Sequence, residues 1–159
     1  MYFETSKQED AQIIHRLMHQ AFQEYHASEP PSTALEETVE SIQNALNQGE
    51  QAIIAYEDHE PIAMVRFRYV NEGLYFYRLS VLPTKQGKGI AKKLVHQLEI
   101  FASERGVKQV FCKVRKDILR NIHLYQRLGY SVCQEERTNH PKLTIVTMSK
   151  KLSERRGYW

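Results

Sequence analysis

The sequence has few cysteines, few glycines and no long apolar run, and each shortage excludes a class of protein. Its two cysteines, Cys112 and Cys133, are too few for a disulfide framework or a zinc ligand set, so we expect reduced, buried thiols. No segment is long enough to span a bilayer, and the opening residues contain no apolar signal-peptide core. We therefore expect a cytoplasmic protein without membrane association.

Positive charge is concentrated at the C-terminus. The net charge is +3, and the last ten residues account for it with four cations and one anion: Lys150, Lys151, Arg155, Arg156 and Glu154. A basic end could contact nucleic acid or an anionic surface, or it could be solvated. Because the rest of the chain is close to neutral, we expect no nucleic-acid partner. The 159 residues predict one domain, 1–150, and a basic tail, 151–159, whose aromatic end could dock on the partner of a homodimer or lie loose.

Apolar periodicity predicts an α/β protein. Capping-box patterns at Ser6–Glu9 and Thr33–Glu36 predict the starts of two amphipathic helices. Two further helices are predicted from Ile90 and over residues 118–128. The predicted strands lie at 1–5, 51–57, 62–70, 74–81, 109–114, 130–136 and 143–149.

The order of these elements predicts a mixed, mostly antiparallel sheet flanked by helices. Short turns should join the strands at 51–57, 62–70 and 74–81 into an antiparallel meander. The strand at 74–81, the helix from Ile90 and the strand at 109–114 form a βαβ unit, so these two strands should be parallel. Ligands of such sheets bind at carboxyl ends of strands, where the connection pattern changes.

A glycine-containing loop occupies that position. Gly87 and Gly89 precede the helix, and Lys85, Lys88 and Lys92 lie around the same end. The first amides of a helix lack partners and carry partial positive charge, so an anion there would also offset the repulsion among the lysines. The sequence contains neither a P-loop nor a complete dinucleotide fingerprint. It therefore predicts a phosphate-bearing ligand of another kind.

Two motifs identify a family resemblance. Gln86, Gly89 and Ala91 fit the pattern Q/R-x-x-G-x-G/A, and "LYQRLGY" at 124–130 is similar to an "LYxxxGF" segment. Together with the element order, these motifs resemble the GCN5-related N-acetyltransferase (GNAT) superfamily. The resemblance implies an acyl-CoA N-acyltransferase fold, splayed between the fourth and fifth strands, with acetyl-CoA as cosubstrate.

The resemblance also implies sites for acetyl-CoA. Its pantetheine arm would pair with the backbone near Leu79 and Val81, and the Val81 amide would stabilise the oxyanion. The pyrophosphate loop would comprise Gln86, Gly87, Lys88, Gly89, Ile90, Ala91 and Lys92.

Tyr125 matches the motif tyrosine, which would protonate the departing thiolate; the alternative is a helix aromatic packed on the sheet. The family's usual asparagine position is Ile118 here, so Asn121 could replace its contact to the pantetheine arm or be solvated. The strand before the loop has no carboxylate that could act as the general base. Glu72 in the preceding turn is one candidate, and a water chain past Tyr75 or Tyr77 is another.

The sequence contains no evident nucleophile constellation, which favours direct attack in a ternary complex. The acceptor would be a primary amine of a small molecule or a peptide. Glu29, Glu36 and Glu37 would favour a cationic amine, unless they belong only to a polar surface loop. An alternative function is a catalytically silent CoA-binding sensor or interaction domain.

Overall fold

The computed structural model describes residues 1–23, 32–71 and 73–153. Within these residues the helices are α1 Ala11–Phe22, α2 Val39–Asn47, α3 Ile90–Glu104 and α4 Leu119–Arg127. The strands are β1 Tyr2–Thr5, β2 Gln51–Glu57, β3 Glu60–Val70, β4 Gly73–Val81, β5 Gln109–Arg115, β6 Ser131–Arg137 and β7 Thr144–Lys151. The predicted strands therefore all form, with ends that differ by one or two residues.

The strands form one sheet in the order β1-β2-β3-β4-β5-β7-β6. β1 pairs antiparallel with β2, β2 with β3, β5 with β7 and β6 with β7. β4 and β5 are parallel, as the βαβ unit predicts, and they pair from Gly73–Gln109 to Tyr75–Phe111. Among the described residues no β4–β5 pair follows, although β4 continues to Val81 and β5 to Arg115. The predicted mixed α/β sheet is confirmed.

The chain groups into two compact units. Unit 1 comprises Met1–Arg68 and Tyr77–Leu98, and unit 2 comprises Tyr69–Phe76 and the chain from Glu99 onward. In unit 1, α1 presents one apolar stripe at helical spacing to a core shared with α2, β2 and β3. That core is formed by Ala11, Ile14, Leu17, Met18, Ala34, Ile42, Leu46, Ala52, Ile54 and Met64.

Unit 2 buries one face of its strands. On β5, Val110 and Cys112 are buried, whereas the alternate residues are more exposed. Val146 and Met148 of β7 are buried on the same face, because each pairs directly with a β5 residue of that face. Every residue of the edge strand β6 is exposed, so the expected burial is confirmed for Cys112 and wrong for Cys133.

Both predicted capping boxes are wrong. The Ser6 hydroxyl accepts from the Ala52 amide 2.9 Å away, which ties the end of β1 to β2. Residues Thr33–Glu36 form a short 3₁₀ helix, and α2 begins later, with Thr38 capping the Ser41 amide at 3.0 Å. In both cases the S/T-x-x-E pattern was present, but a different contact satisfied the hydroxyl.

No helix within the described part of the chain has both the length and the apolar character needed to cross a membrane. The division into a domain over 1–150 and a tail over 151–159 stays a prediction, and residues 154–159 of that tail lie outside the described residues.

Candidate functional site

The glycine loop of unit 1 has the backbone geometry that makes glycine necessary. Gly87 and Gly89 have φ values of +79° and +78°, in the left-handed region. A Cβ built on either residue meets no described atom within 4 Å. Backbone conformation rather than crowding therefore favours glycine at both positions, and the space beside both residues is open.

The loop presents a row of backbone amides that donate to no backbone carbonyl outside the helix among the described residues. The first intrahelical bond of α3 runs from Lys93 to the Gly89 carbonyl, so the amides of Ile90–Lys92 precede the hydrogen-bonded helix. Within the described residues, no backbone carbonyl outside the helix accepts from residues 87–92. Gln86 is the exception in the predicted loop, since its amide is 3.5 Å from the Pro83 carbonyl. Such a row of donors at a helix N-terminus is suited to an anion.

The side chains of the loop divide into anchors and exposed cations. Ile90 is buried and holds the start of α3 in the core, whereas Lys88 and Lys92 are exposed. The Gln86 amide group donates to the Val81 carbonyl at 3.1 Å, which fastens the loop to the end of β4. Lys85 is engaged elsewhere, in a 2.6 Å ion pair with Glu57. Lys88 and Lys92 thus flank the open amides.

β4 contains an unusual backbone conformation just before the predicted pantetheine residues, Leu79 and Val81. Arg78 has a φ of +56°, and among the described non-glycine residues it is the one with positive φ inside a strand. Such a conformation costs about 1–2 kcal/mol in a residue with a Cβ. The Ser80 hydroxyl donates to the Arg78 carbonyl at 2.8 Å. A local irregularity of this type bends a strand and reorients the residues that follow.

An ion network holds the Arg78 side chain. Its Nε donates to Glu37 at 3.0 Å, and its Nη2 donates to the Thr33 hydroxyl at 3.0 Å. Arg66, whose side chain is only 3% exposed, also donates to Glu37 at 2.8 Å and to Glu50 at 2.8 Å. Burial raises the pKa of Glu50, and its hydrogen bond to Arg66 opposes that rise.

The network changes the interpretation of one predicted acceptor residue. Both carboxylate oxygens of Glu37 accept from arginine, so its charge is neutralised within the protein and is not available to attract a cationic amine. Glu36 is exposed, and Glu29 lies outside the described residues. Sequence reasoning missed the roles of Arg66 and Arg78. Their carboxylate partners are 16 to 41 residues away, and an apolar strand pattern does not indicate such contacts.

In unit 2, Tyr125 lies on α4 and is buried, with 6% of its surface exposed. Its ring makes edge-on contacts with Phe76 at 5.7 Å and with Tyr130 at 6.1 Å between centroids. Phe76 and Tyr130 are also in edge-on contact, at 5.9 Å. These three rings form a compact aromatic cluster, which fixes the orientation of the Tyr125 ring.

A partly buried ion pair anchors the end of α4 beside this cluster. The Tyr130 hydroxyl donates to Glu99 at 2.7 Å, and Lys150 donates to the other oxygen of Glu99 at 3.0 Å. Lys150 also donates to the carbonyl of Leu128, the C-cap of α4, at 2.9 Å. Burial, followed by the bond to Glu99, raises the pKa of Tyr130 far above its ordinary value, so this hydroxyl stays protonated.

Three other residues were predicted to belong to the site: Asn121, Glu72 and Tyr75. Asn121 is partly buried on α4, one turn before Tyr125. Glu72, the candidate base, lies outside the described residues. Tyr75 stacks on Phe111 with 5.2 Å between ring centroids. Within the described ranges, no group of three or more His, Cys, Asp or Glu side chains is placed to hold a metal ion.

Comparisons with known proteins agree with these features. A model of the acetyltransferase (GNAT) family matches residues 13–130. The chain is 32% identical to streptothricin acetyltransferase of Streptomyces lavendulae over 82 residues, which is 52% of this chain and 43% of that protein. It is 27% identical to aminoglycoside N(6')-acetyltransferase type 1 of Acinetobacter haemolyticus over 114 residues, which is 63% of this chain and 69% of that protein.

The fold has close counterparts among solved structures. The PaiA N-acetyltransferase of Thermoplasma acidophilum, solved in complex with coenzyme A, superposes with a TM-score of 0.77 at 19% identity, covering 96% of this chain and 100% of that chain. The family match confirms the predicted acetyltransferase class, and two solved structures of the same fold contain bound coenzyme A. The chain belongs to the acetyltransferase (GNAT) family.

Proposed function

We propose that the protein transfers the acetyl group of acetyl-CoA to a primary amine by direct attack in a ternary complex. A bond forms between the amine nitrogen and the acetyl carbon, the carbon–sulfur bond breaks, and the ammonium proton that results leaves to a base. The observation that carries this proposal is the row of amides at residues 87–92, which have no backbone acceptor outside the helix among the described residues. A diphosphate supplies the negative charge and the multiple acceptor oxygens that such a row requires.

In this proposal, residues Gln86–Lys92 bind the pyrophosphate of acetyl-CoA. The positive φ of Gly87 and Gly89 allows close approach to the backbone, and Lys88 and Lys92 add long-range attraction. Leu79 and Val81 would provide backbone groups for the pantetheine arm. The Val81 amide would stabilise the oxyanion, a contribution of about 3–4 kcal/mol for one well-placed donor.

Tyr125 is the proposed general acid for the CoA thiolate. A phenol with an ordinary pKa of about 10 is protonated at neutral pH and comparable to a thiol in basicity. The contacts of its ring with Phe76 and Tyr130 support this role, because a general acid must be held in a fixed orientation. Asn121, one turn earlier on the same helix, is the proposed contact to the pantetheine arm.

The proposed base is Glu72 or a water chain past Tyr75 or Tyr77. The acceptor is a small-molecule or peptide amine. Two relatives are named for streptothricin and for aminoglycosides, which supports a small molecule. Neutralisation of Glu37 by Arg66 and Arg78, however, removes one feature that would favour a polycationic antibiotic.

The direct test combines binding and turnover. Isothermal titration should detect acetyl-CoA binding, and absence of binding at millimolar acetyl-CoA would refute the proposal. Release of free CoA thiol should then be measured with a panel of primary amines. Transfer to at least one of them is expected, with the acetylated product identified by mass spectrometry.

A catalytically silent CoA-binding module is the second candidate. It is favoured by one observation, the absence of any carboxylate from β4, Gly73–Val81. Tight CoA binding without thiol release across a broad amine panel would support this candidate. Turnover that disappears in Tyr125→Phe would exclude it.

A further inference from the structure

One face of β5 in unit 2 combines aromatic and cationic side chains. Phe111, Lys113 and Arg115 alternate along the strand and so project from the same face. Tyr75 of β4 pairs with Phe111 and stacks on it at 5.2 Å between centroids. The Lys113 ammonium lies 6.0 Å from the centre of the Tyr75 ring. Together these four residues form a continuous surface, which we call the β5 strip.

The β5 strip is on the opposite face from Tyr125. Residues Phe76 and Tyr75 are successive in β4 and therefore point to opposite faces. Tyr125 packs on Phe76, whereas Tyr75 belongs to the β5 strip. If Tyr125 protonates the thiolate from its own face, the body of the incoming amine would lie on the other face, where Lys113 is exposed and Phe111 and Arg115 are partly exposed.

The charge of this face is positive. Paired residues of neighbouring strands share a face, so Lys151 of β7 and Glu136 of β6 lie on the same face as Lys113 and Arg115. Three cations therefore share the face with one described carboxylate. Lys116, just beyond the strand, is already neutralised by its 2.6 Å ion pair with Glu135. A polycationic acceptor would be repelled by this face.

Arg115 has an unfilled hydrogen-bonding position. Its Nη1 is buried and has no hydrogen-bond partner among the described residues. A buried donor without a partner costs about 1–3 kcal/mol, and more when it is charged. Native proteins usually satisfy such groups with a partner, which can be a protein group, a water, an ion or a ligand. A carboxylate or phosphate oxygen is the acceptor that matches a guanidinium best.

We propose that the acceptor amine carries an anionic group, a carboxylate or a phosphate, which binds Arg115 with assistance from Lys113. The stacked rings of Tyr75 and Phe111 provide the flat apolar surface on which the body of the acceptor packs. This inference rests on the proposed acetyl transfer and narrows its substrate class. An anion at Arg115 could instead be a phosphate of CoA, and the experiment below separates the two sources.

The test uses pairs of primary amines that differ only in the anionic group: L-phenylalanine and L-phenylalaninamide, β-alanine and β-alaninamide, and O-phosphoethanolamine and ethanolamine. Wild-type protein should show a higher kcat/KM with the anionic member of a pair. For the two carboxylate pairs, intrinsic reactivity predicts the opposite preference. The amino group of the carboxamide is less basic than that of the amino acid, so more of it is in the neutral, reactive form. Equal or reversed preference in every pair would overturn the inference.

Variants identify the residue and the source of the anion. Arg115→Gln should raise KM for the anionic amine by about tenfold to a hundredfold, as expected for loss of a charge-assisted hydrogen bond. KM for acetyl-CoA should not change. Arg137→Gln, which removes an equal charge from an exposed position on the other face of the edge strand, is the control.

The outcomes separate the two proposals. A rise confined to KM for acetyl-CoA would assign the anion to CoA and overturn the acceptor assignment. Suppose that the wild-type protein acetylates neutral amines and that Arg115→Gln leaves the KM for anionic amines unchanged. The inference would then be overturned, and the proposed function would stand. Failure of wild-type protein to bind acetyl-CoA or to acetylate any amine would refute the proposed function itself. The wild-type comparison stands even if Arg115→Gln does not fold.

Discussion

Substitution of Gly89 by glutamate places a negative charge where we propose that diphosphate binds. An ideal Cβ at Gly89 has no described atom within 4 Å, so the side chain fits without a clash. The cost to the fold comes from the φ of +78°, about 1–2 kcal/mol for a residue with a Cβ. Gly106, with a φ of +73° and equally open space, offers a control with the same strain.

The negative charge introduced by Gly89→Glu should stabilise the fold but weaken the binding of the diphosphate. Gly89 precedes the N-terminus of α3 and Gly106 follows its C-terminus. A carboxylate stabilises a helix by about 0.3–1 kcal/mol at the first end and destabilises it similarly at the second. Gly89→Glu should therefore be the more stable of the two variants, by about 0.6–2 kcal/mol. Repulsion from two phosphate charges about 5 Å away in exposed solvent adds about 1.7 kcal/mol against binding, roughly fifteenfold in Kd.

The assay combines urea unfolding with calorimetric titration of acetyl-CoA. Gly89→Gln, which has the same shape and strain without the charge, isolates the repulsion. At low salt, the Kd for acetyl-CoA should be higher for Gly89→Glu than for Gly89→Gln by roughly fifteenfold or more. High salt should reduce this ratio. Gly106→Glu should bind like the wild type. Similar affinities for the Glu and Gln variants at position 89 would refute the placement of the diphosphate at this loop.

Three other predictions follow from unit 2. Tyr125→Phe should lower kcat with little change in KM for acetyl-CoA in steady-state assays; unchanged kcat would remove the residue from the mechanism. Lys150→Met leaves a partly buried carboxylate and a helix carbonyl without their donor, so urea unfolding should show a loss of about 1–3 kcal/mol, against almost none for the exposed Lys151→Met. The free energy of unfolding should fall as pH rises above about 9–10, because burial raises the pKa of Cys112 and Tyr130 and the unfolded chain loses these protons first. Tyr130→Phe should make this decline with pH less steep. An equally steep decline in the variant would contradict the reasoning.

Periodicity and glycine positions predicted what is local. The stripe of α1 and the βαβ unit formed as expected, because burial of one face leaves few alternatives for an amphipathic segment. Gly87 and Gly89 were predicted to lie at a helix start, and their positive φ values explain why glycine is favoured there.

Contacts between distant residues could not be predicted. Ser6 fits a capping box, yet its hydroxyl bonds the Ala52 amide on a neighbouring strand, a partner 46 residues away. Arg66 is one charged residue in an apolar strand, and the sequence does not indicate that Glu37 and Glu50 surround it. Local patterns describe which contacts a side chain can make, whereas the tertiary fold decides which of them it makes.

Residues 78–93 concentrate features that are each unfavourable to the isolated protein. Arg78 has a strained backbone, two glycines reduce the stability of the folded loop, and Lys92 adds positive charge to the wrong end of a helix. Sequences usually avoid such local conflicts, and those that persist cluster at functional sites. A single diphosphate would relieve the charge conflict and use the open amides, and the bend at Arg78 would aim the end of β4. One bound diphosphate would therefore account for several local costs that do not contribute to the stability of the fold.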